Sequence, residues 1–99
     1  MNISNVFERL LHKPELYLGA KSLTRLWIHL QGYMTALDEA KISYDDQEFG
    51  SFCRWVEKTY NLSGSHSWAN VVLFVSFGDE CRAIEKAKTL WEEFKNQKT

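Results

Sequence analysis

The chain has 99 residues, the size of one domain, and with 44% hydrophobic and 25% charged residues it can bury a modest core without disulfides or a metal. A formal net charge of −1 excludes a global basic field for nucleic acid, and no run approaches the ~20 apolar residues that cross a bilayer. The opening MNISNVFERLLHKPEL holds Glu8 and Arg9 inside its apolar run, which is not a secretory signal, so the cytoplasm is the expected location.

A first helix is predicted over about 3–12, where Ile3, Val6, Phe7, Leu10 and Leu11 recur at helical spacing and Asn2 or Ser4 caps the start. Pro14 stops it, because the residue before a proline disfavours the helical region. KPELYLGA then reads as a structured turn, with Tyr17 and Leu18 folded back on the core and Gly19 free to take positive φ.

The second helix, about 22–40, has Ser22 as its cap. Leu23, Leu26, Trp27, Leu30, Met34 and Leu37 form a wide apolar stripe. Gly32, Ala36 and Ala40 make a row of small residues, expected to let another helix approach. A third helix, about 45–60, starts at Asp45 and Asp46, where its dipole favours anions, and buries Phe49, Phe52, Cys53, Val56 and Tyr60. Asn61 and Gly64 end it.

NLSGSHS is a loop of turn formers, and its Ser67 can cap a helix that begins at Trp68. WANVVLFVSF spaces Trp68, Val71, Val72 and Val75 for a helix, although its continuous β-branched run over 68–77 also suits a buried strand. A lone central strand would have no partner, which favours the helix. Gly78 breaks it, Asp79 caps the last helix, and Ala83, Ile84, Ala87, Leu90, Trp91 and Phe94 keep helical period. The expected fold is a single all-α domain over 1–99, a compact bundle of about five short helices.

Four Trp residues are many for this length. Trp27 and Trp91 lie in apolar stripes and Trp68 opens a helix. Trp55, beside Arg54, flanks a buried face and is the aromatic expected to be partly exposed, where it can anchor a partner. Cys53 and Cys81 have no motif spacing and read as small buried hydrophobes.

No catalytic or metal constellation emerges, and no cofactor is implied. Glu8 and His12 are half a metal site at most, since two ligands do not hold zinc. Ser65-His66-Ser67 lacks the strand–turn–helix context of a nucleophile elbow. DDQEFG lacks the alternating ligands of a calcium loop. One charged feature stands out. Asp38, Glu39, Asp45, Asp46 and Glu48 surround Tyr44 against a single base, Lys41, between residues 38 and 50. Acids around an aromatic suit electrostatic association with a basic partner; a solvated loop between helices is the plainer account.

The order of motifs, above all Pro14-Glu15-Leu16-Tyr17-Leu18-Gly19, Arg54-Trp55-Val56 and Ser65-His66-Ser67-Trp68, resembles small bacterial immunity proteins of polymorphic-toxin and contact-dependent growth inhibition systems. The resemblance spans nearly the whole chain and includes no catalytic signature. It implies a protein, not an enzyme, that binds and neutralises a cognate toxin domain by covering its active site. Many such toxins are nucleases with basic substrate surfaces, so Asp38, Glu39, Asp45, Asp46 and Glu48 would meet Lys and Arg, with Tyr44 and Trp55 as anchors. The expected partner is thus the toxin domain, not nucleic acid or membrane, and the expected state is a monomer or weak dimer. Two other classes stay open: a helical module that homodimerises through Gly32, Ala36 and Ala40, and a small hydrolase using His66.

Overall fold

Six helices follow one another in the computed structural model, which describes residues 1–61 and 67–97. They are α1 (Ile3–His12), α2 (Pro14–Leu18), α3 (Leu23–Glu39), α4 (Gln47–Tyr60), α5 (Trp68–Val75) and α6 (Glu80–Gln97). The fold is all-α, and the run whose β-branching also allowed a strand is helical. The radius of gyration, 13.2 Å, is that of one domain of about 100 residues.

Local chemistry sets most helix starts. Asn2 Oδ1 accepts from Ser4 N at 2.9 Å, Ser22 Oγ from Arg25 N at 3.1 Å, Ser67 Oγ from Asn70 N at 3.3 Å, and Asp79 Oδ1 from Arg82 N at 3.0 Å. Each side chain satisfies an amide that the first helical turn leaves unbonded. Asn61, at φ 44°, closes α4 in the left-handed region.

Pro14 does more than end α1. It sits at the first position of α2, where its missing N–H would have no intrahelical partner and its fixed φ suits the helix. Gly19, at φ 79°, closes that short helix, and Arg25 Nη1 from α3 donates to Leu18 O at 2.9 Å. This packing leaves Tyr17 exposed and Leu18 half-buried, so only Leu18 of that pair folds back on the core.

One hydrophobic core joins α1, α3, α4, α5 and α6. Phe7, Phe52 and Trp91 are fully buried at its centre, and Trp68 lies beside them. Their rings meet mostly edge to face, the arrangement that opposes the positive rim of one ring to the negative face of another. Trp27 is half-buried at the margin of its stripe. Cys81 is exposed, against the expectation of burial, whereas Cys53 is only partly accessible. Burial pushes the Cys53 thiol up to about 12, with Glu57 adding to the shift, so it stays neutral as a small hydrophobe should.

The small-residue row does not pack within the molecule. Gly32, Ala36 and Ala40 are exposed, and a Cβ added at Gly32 would meet nothing within 4 Å. The apolar stripe of α3 faces the core from the other side of the helix, which leaves this row to solvent. Gly32→Ala is therefore expected to stabilise the fold by about 1 kcal/mol, the difference in helix propensity. Thermal unfolding should show a midpoint raised by roughly 4–8 °C. A lowered midpoint would mean that another surface packs on this row.

Candidate functional site

The acidic segment is built by the end of α3 and the approach to α4. Lys41, at φ 58°, turns the chain out of α3, while Ile42 N donates back to Leu37 O at 2.9 Å and closes the helix end. Residue 45 is then pinned to the N-terminus. Asp45 N donates to Met1 O and Ile3 N to Asp45 O, both at 2.8 Å, forming a parallel bridge between Asn2 and Asp45. Two backbone bonds thus fix a loop that composition alone would leave free.

Side chains complete the shape. Tyr44 Oη donates to Asp38 Oδ1 at 2.9 Å, and Asp45 Oδ1 accepts from Gln47 N at 3.0 Å at the start of α4. Asp46 occupies the cap position itself but makes no side-chain cap bond. The carboxylate of Asp38 holds the Tyr44 phenol above its ordinary value; burial and the charges of Asp38 and Asp46 act in the same sense. The phenolic proton of Tyr44 is the one it donates in this hydrogen bond.

Asp38, Glu39, Asp45 and Asp46 are all exposed. The ion pairs among the described residues include Lys21–Glu85, Arg82–Asp79, Lys88–Glu85 and Lys95–Glu8, none of which uses these four acids. Glu48 is half-buried in the first turn of α4 and has an interaction of its own. Trp55 stands apart, about 10 Å further along α4 at 1.5 Å per residue. It is half-buried, with its ring 6.2 Å from Phe52 and 5.7 Å from Phe94, at the edge of the core. The structure therefore ties Tyr44 to Asp38 and sets the Asp46 charge near it, and places Trp55 further along α4.

Periodicity misses a second surface. Phe74 and Phe77 are 69% and 87% exposed and line a shallow depression with Asn70, Leu73 and Gly78. Phe77 has φ 59°, a left-handed conformation that costs a residue with a Cβ roughly 1–2 kcal/mol. WANVVLFV holds a single polar residue, Asn70, so no clear stripe marks Phe74 as facing outward, and Phe77 follows the helix in the turn before Gly78.

Among the described residues, no group of three or more His, Cys, Asp or Glu residues is arranged to hold a metal ion, and no helix is long and apolar enough to cross a membrane. His66, the residue of the hydrolase alternative, and Gly64, expected to help end the third helix, lie outside the described residues. No family model, curated protein or solved structure matches the chain.

Proposed function

We propose that this chain is an inhibitor of the immunity type, which binds the toxic domain of a cognate toxin and covers a basic substrate surface with its acidic face. The observation that carries this reading is a cluster of exposed carboxylates, fixed by backbone and by Tyr44, that no ion pair among the described residues neutralises. Ile42, half exposed among them, offers an apolar contact at the centre of the charge. Fixed anions facing basic side chains accelerate encounter; steering raises association rates from about 10⁵–10⁶ to 10⁸–10⁹ M⁻¹s⁻¹ at low salt.

The test uses the protein encoded beside this chain. Expression of its toxic domain should arrest growth, and co-expression of this chain should restore it. Glu39→Lys combined with Asp46→Lys alters two exposed side chains that support no helix cap. This variant should associate at least tenfold more slowly at low salt, and its rate should fall less with added salt than that of the wild type. Unchanged association would remove the acidic face from the site. Growth arrest that this chain does not relieve would overturn the inhibitor reading.

The exposed Gly32, Ala36 and Ala40 row favours a second reading, a homodimer packed through α3. Sedimentation separates the two: a stable dimer that Gly32→Leu dissociates supports the second reading and argues against a free monomeric inhibitor.

A further inference from the structure

The cationic end of α1 forms a cleft that the inhibitor reading does not use. Arg9, His12 and Lys13 line an opening of about 430 Å³ with Tyr17 of α2. A smaller hollow of about 210 Å³ adjoins it, lined by Arg9 and Tyr17 again together with Leu10, His29 and Tyr33. Arg9 and Tyr17 border both spaces, so the two form one bipartite site between α1, α2 and α3. Small-molecule sites occupy roughly 300–1,000 Å³.

The chemistry of the two halves differs. The larger half is cationic. Its one acid, Glu8, is paired with Lys95 at 3.6 Å and adds little opposing charge. Arg9, Lys13, His12 and His29 make no ion pair or side-chain hydrogen bond among the described residues. The smaller half is aromatic and aliphatic, with Tyr33, Tyr17 and Leu10 beside the His29 imidazole. Favourable placement at the end of the α1 dipole accounts for Arg9 and His12. It does not account for His29 and Tyr33, which belong to another helix and close the same hollow.

We propose that this cleft binds a free mononucleotide, with the phosphate held by Arg9 and Lys13 and the base against Tyr17 and Tyr33. Arginine offers a planar fork of donors matched to phosphate oxygens, and lysine a point charge. Tyrosine rings supply a stacking surface that any base can use. A long nucleic acid fits less well. Arg9, His12 and Lys13 lie on the last turn of α1 and the residue after it, while the start of the same helix, reached by Tyr33 through Met1 Sδ at 3.4 Å, is bridged to the acidic segment at Asp45. That segment would repel a second stretch of phosphate backbone.

The site stands independently of the inhibitor reading, and its test needs no toxin. Calorimetric titration of the full chain with AMP, adenosine and inorganic phosphate resolves the two halves. Expected is saturable AMP binding with a Kd below about 1 mM, at least tenfold tighter than adenosine or phosphate alone. Arg9→Gln and Tyr17→Leu change exposed residues and should each weaken AMP binding at least tenfold with an unchanged circular dichroism spectrum. AMP binding no tighter than phosphate would overturn the proposal, as would unchanged affinity in both variants. A single-stranded oligonucleotide bound more than tenfold tighter than AMP would make this a nucleic-acid surface and also overturn it.

Discussion

Replacing Phe7 with alanine is expected to cost about 3–5 kcal/mol, the range for removing a buried aromatic from a packed core. The ring is fully buried, and its centroid lies 4.9, 5.5, 5.4 and 5.1 Å from those of Phe49, Phe52, Trp68 and Trp91. Those four residues belong to α4, α5 and α6, so one side chain of α1 meets three other helices. Loss of the ring removes transferred apolar area and leaves a cavity whose walls are large rigid rings, which collapse poorly into the space. Against a total stability of about 5–15 kcal/mol this is a large fraction. Urea unfolding should show a lower midpoint with an unchanged slope. A cost below about 1.5 kcal/mol would mean that the neighbouring rings close the gap, and that Phe7 does not organise the core.

Features that depend on near neighbours in sequence are readable without coordinates. Asn2, Ser22, Ser67 and Asp79 each cap a helix through an amide two or three residues away. The apolar stripes likewise give Ile3, Phe7, Leu26, Leu30, Ile84 and Trp91 their buried places. What periodicity cannot supply is the choice between two faces when both are apolar or both are small. Gly32, Ala36 and Ala40 carry the pattern of a packed helix face, yet the leucines of α3 take the core and leave them outside. Phe74 is lost in an almost wholly apolar helix for the converse reason, and Phe77 lies in the turn beyond it. The short α2 is missed because five residues do not sustain a helix alone; its support is Arg25, reaching back from α3 to Leu18 O.

The candidate site divides in the same way. Its charge is legible, because five acids between residues 38 and 48 show in composition. Its rigidity is not, because Asp45 is held by Met1 and Ile3, more than 40 residues away in sequence. The cleft at the other end of α1 is invisible from sequence for a related reason. Arg9, Tyr17 and His29 come from three helices and share no motif.

Glu80 offers the most direct test of such long-range assembly. This first residue of α6 caps a different helix. Its Oε1 accepts from Thr24 N at 2.9 Å and from Ser22 Oγ at 3.1 Å, and its Oε2 from Thr24 Oγ1 at 2.6 Å. Ser22 Oγ in turn accepts from Arg25 N, so one hydroxyl relays between the start of α3 and the start of α6. A carboxylate at a helix N-terminus also meets the positive end of the dipole. Burial works against the charge on Glu80, but the hydrogen bonds from Thr24 and Ser22 outweigh it, and the carboxyl titrates below its ordinary value. Because the folded value is the lower one, the stabilisation is complete above the ordinary glutamate range. It is lost as pH falls from that range through the folded value.

Glu80→Ala is expected to cost about 1–2 kcal/mol at neutral pH, toward the upper range for a lost cap and discounted because two of the bonds are open to solvent. The gap between wild type and variant should then narrow as pH is lowered through the acid range, since protonation already removes the advantage from the wild type. A gap that stays constant with pH would assign the loss to packing and not to the carboxylate. Ser22→Ala in the same background separates the relay from the direct bonds. If the two substitutions together cost less than the sum of each alone, the hydroxyl and the carboxylate act as one cap joining α3 to α6.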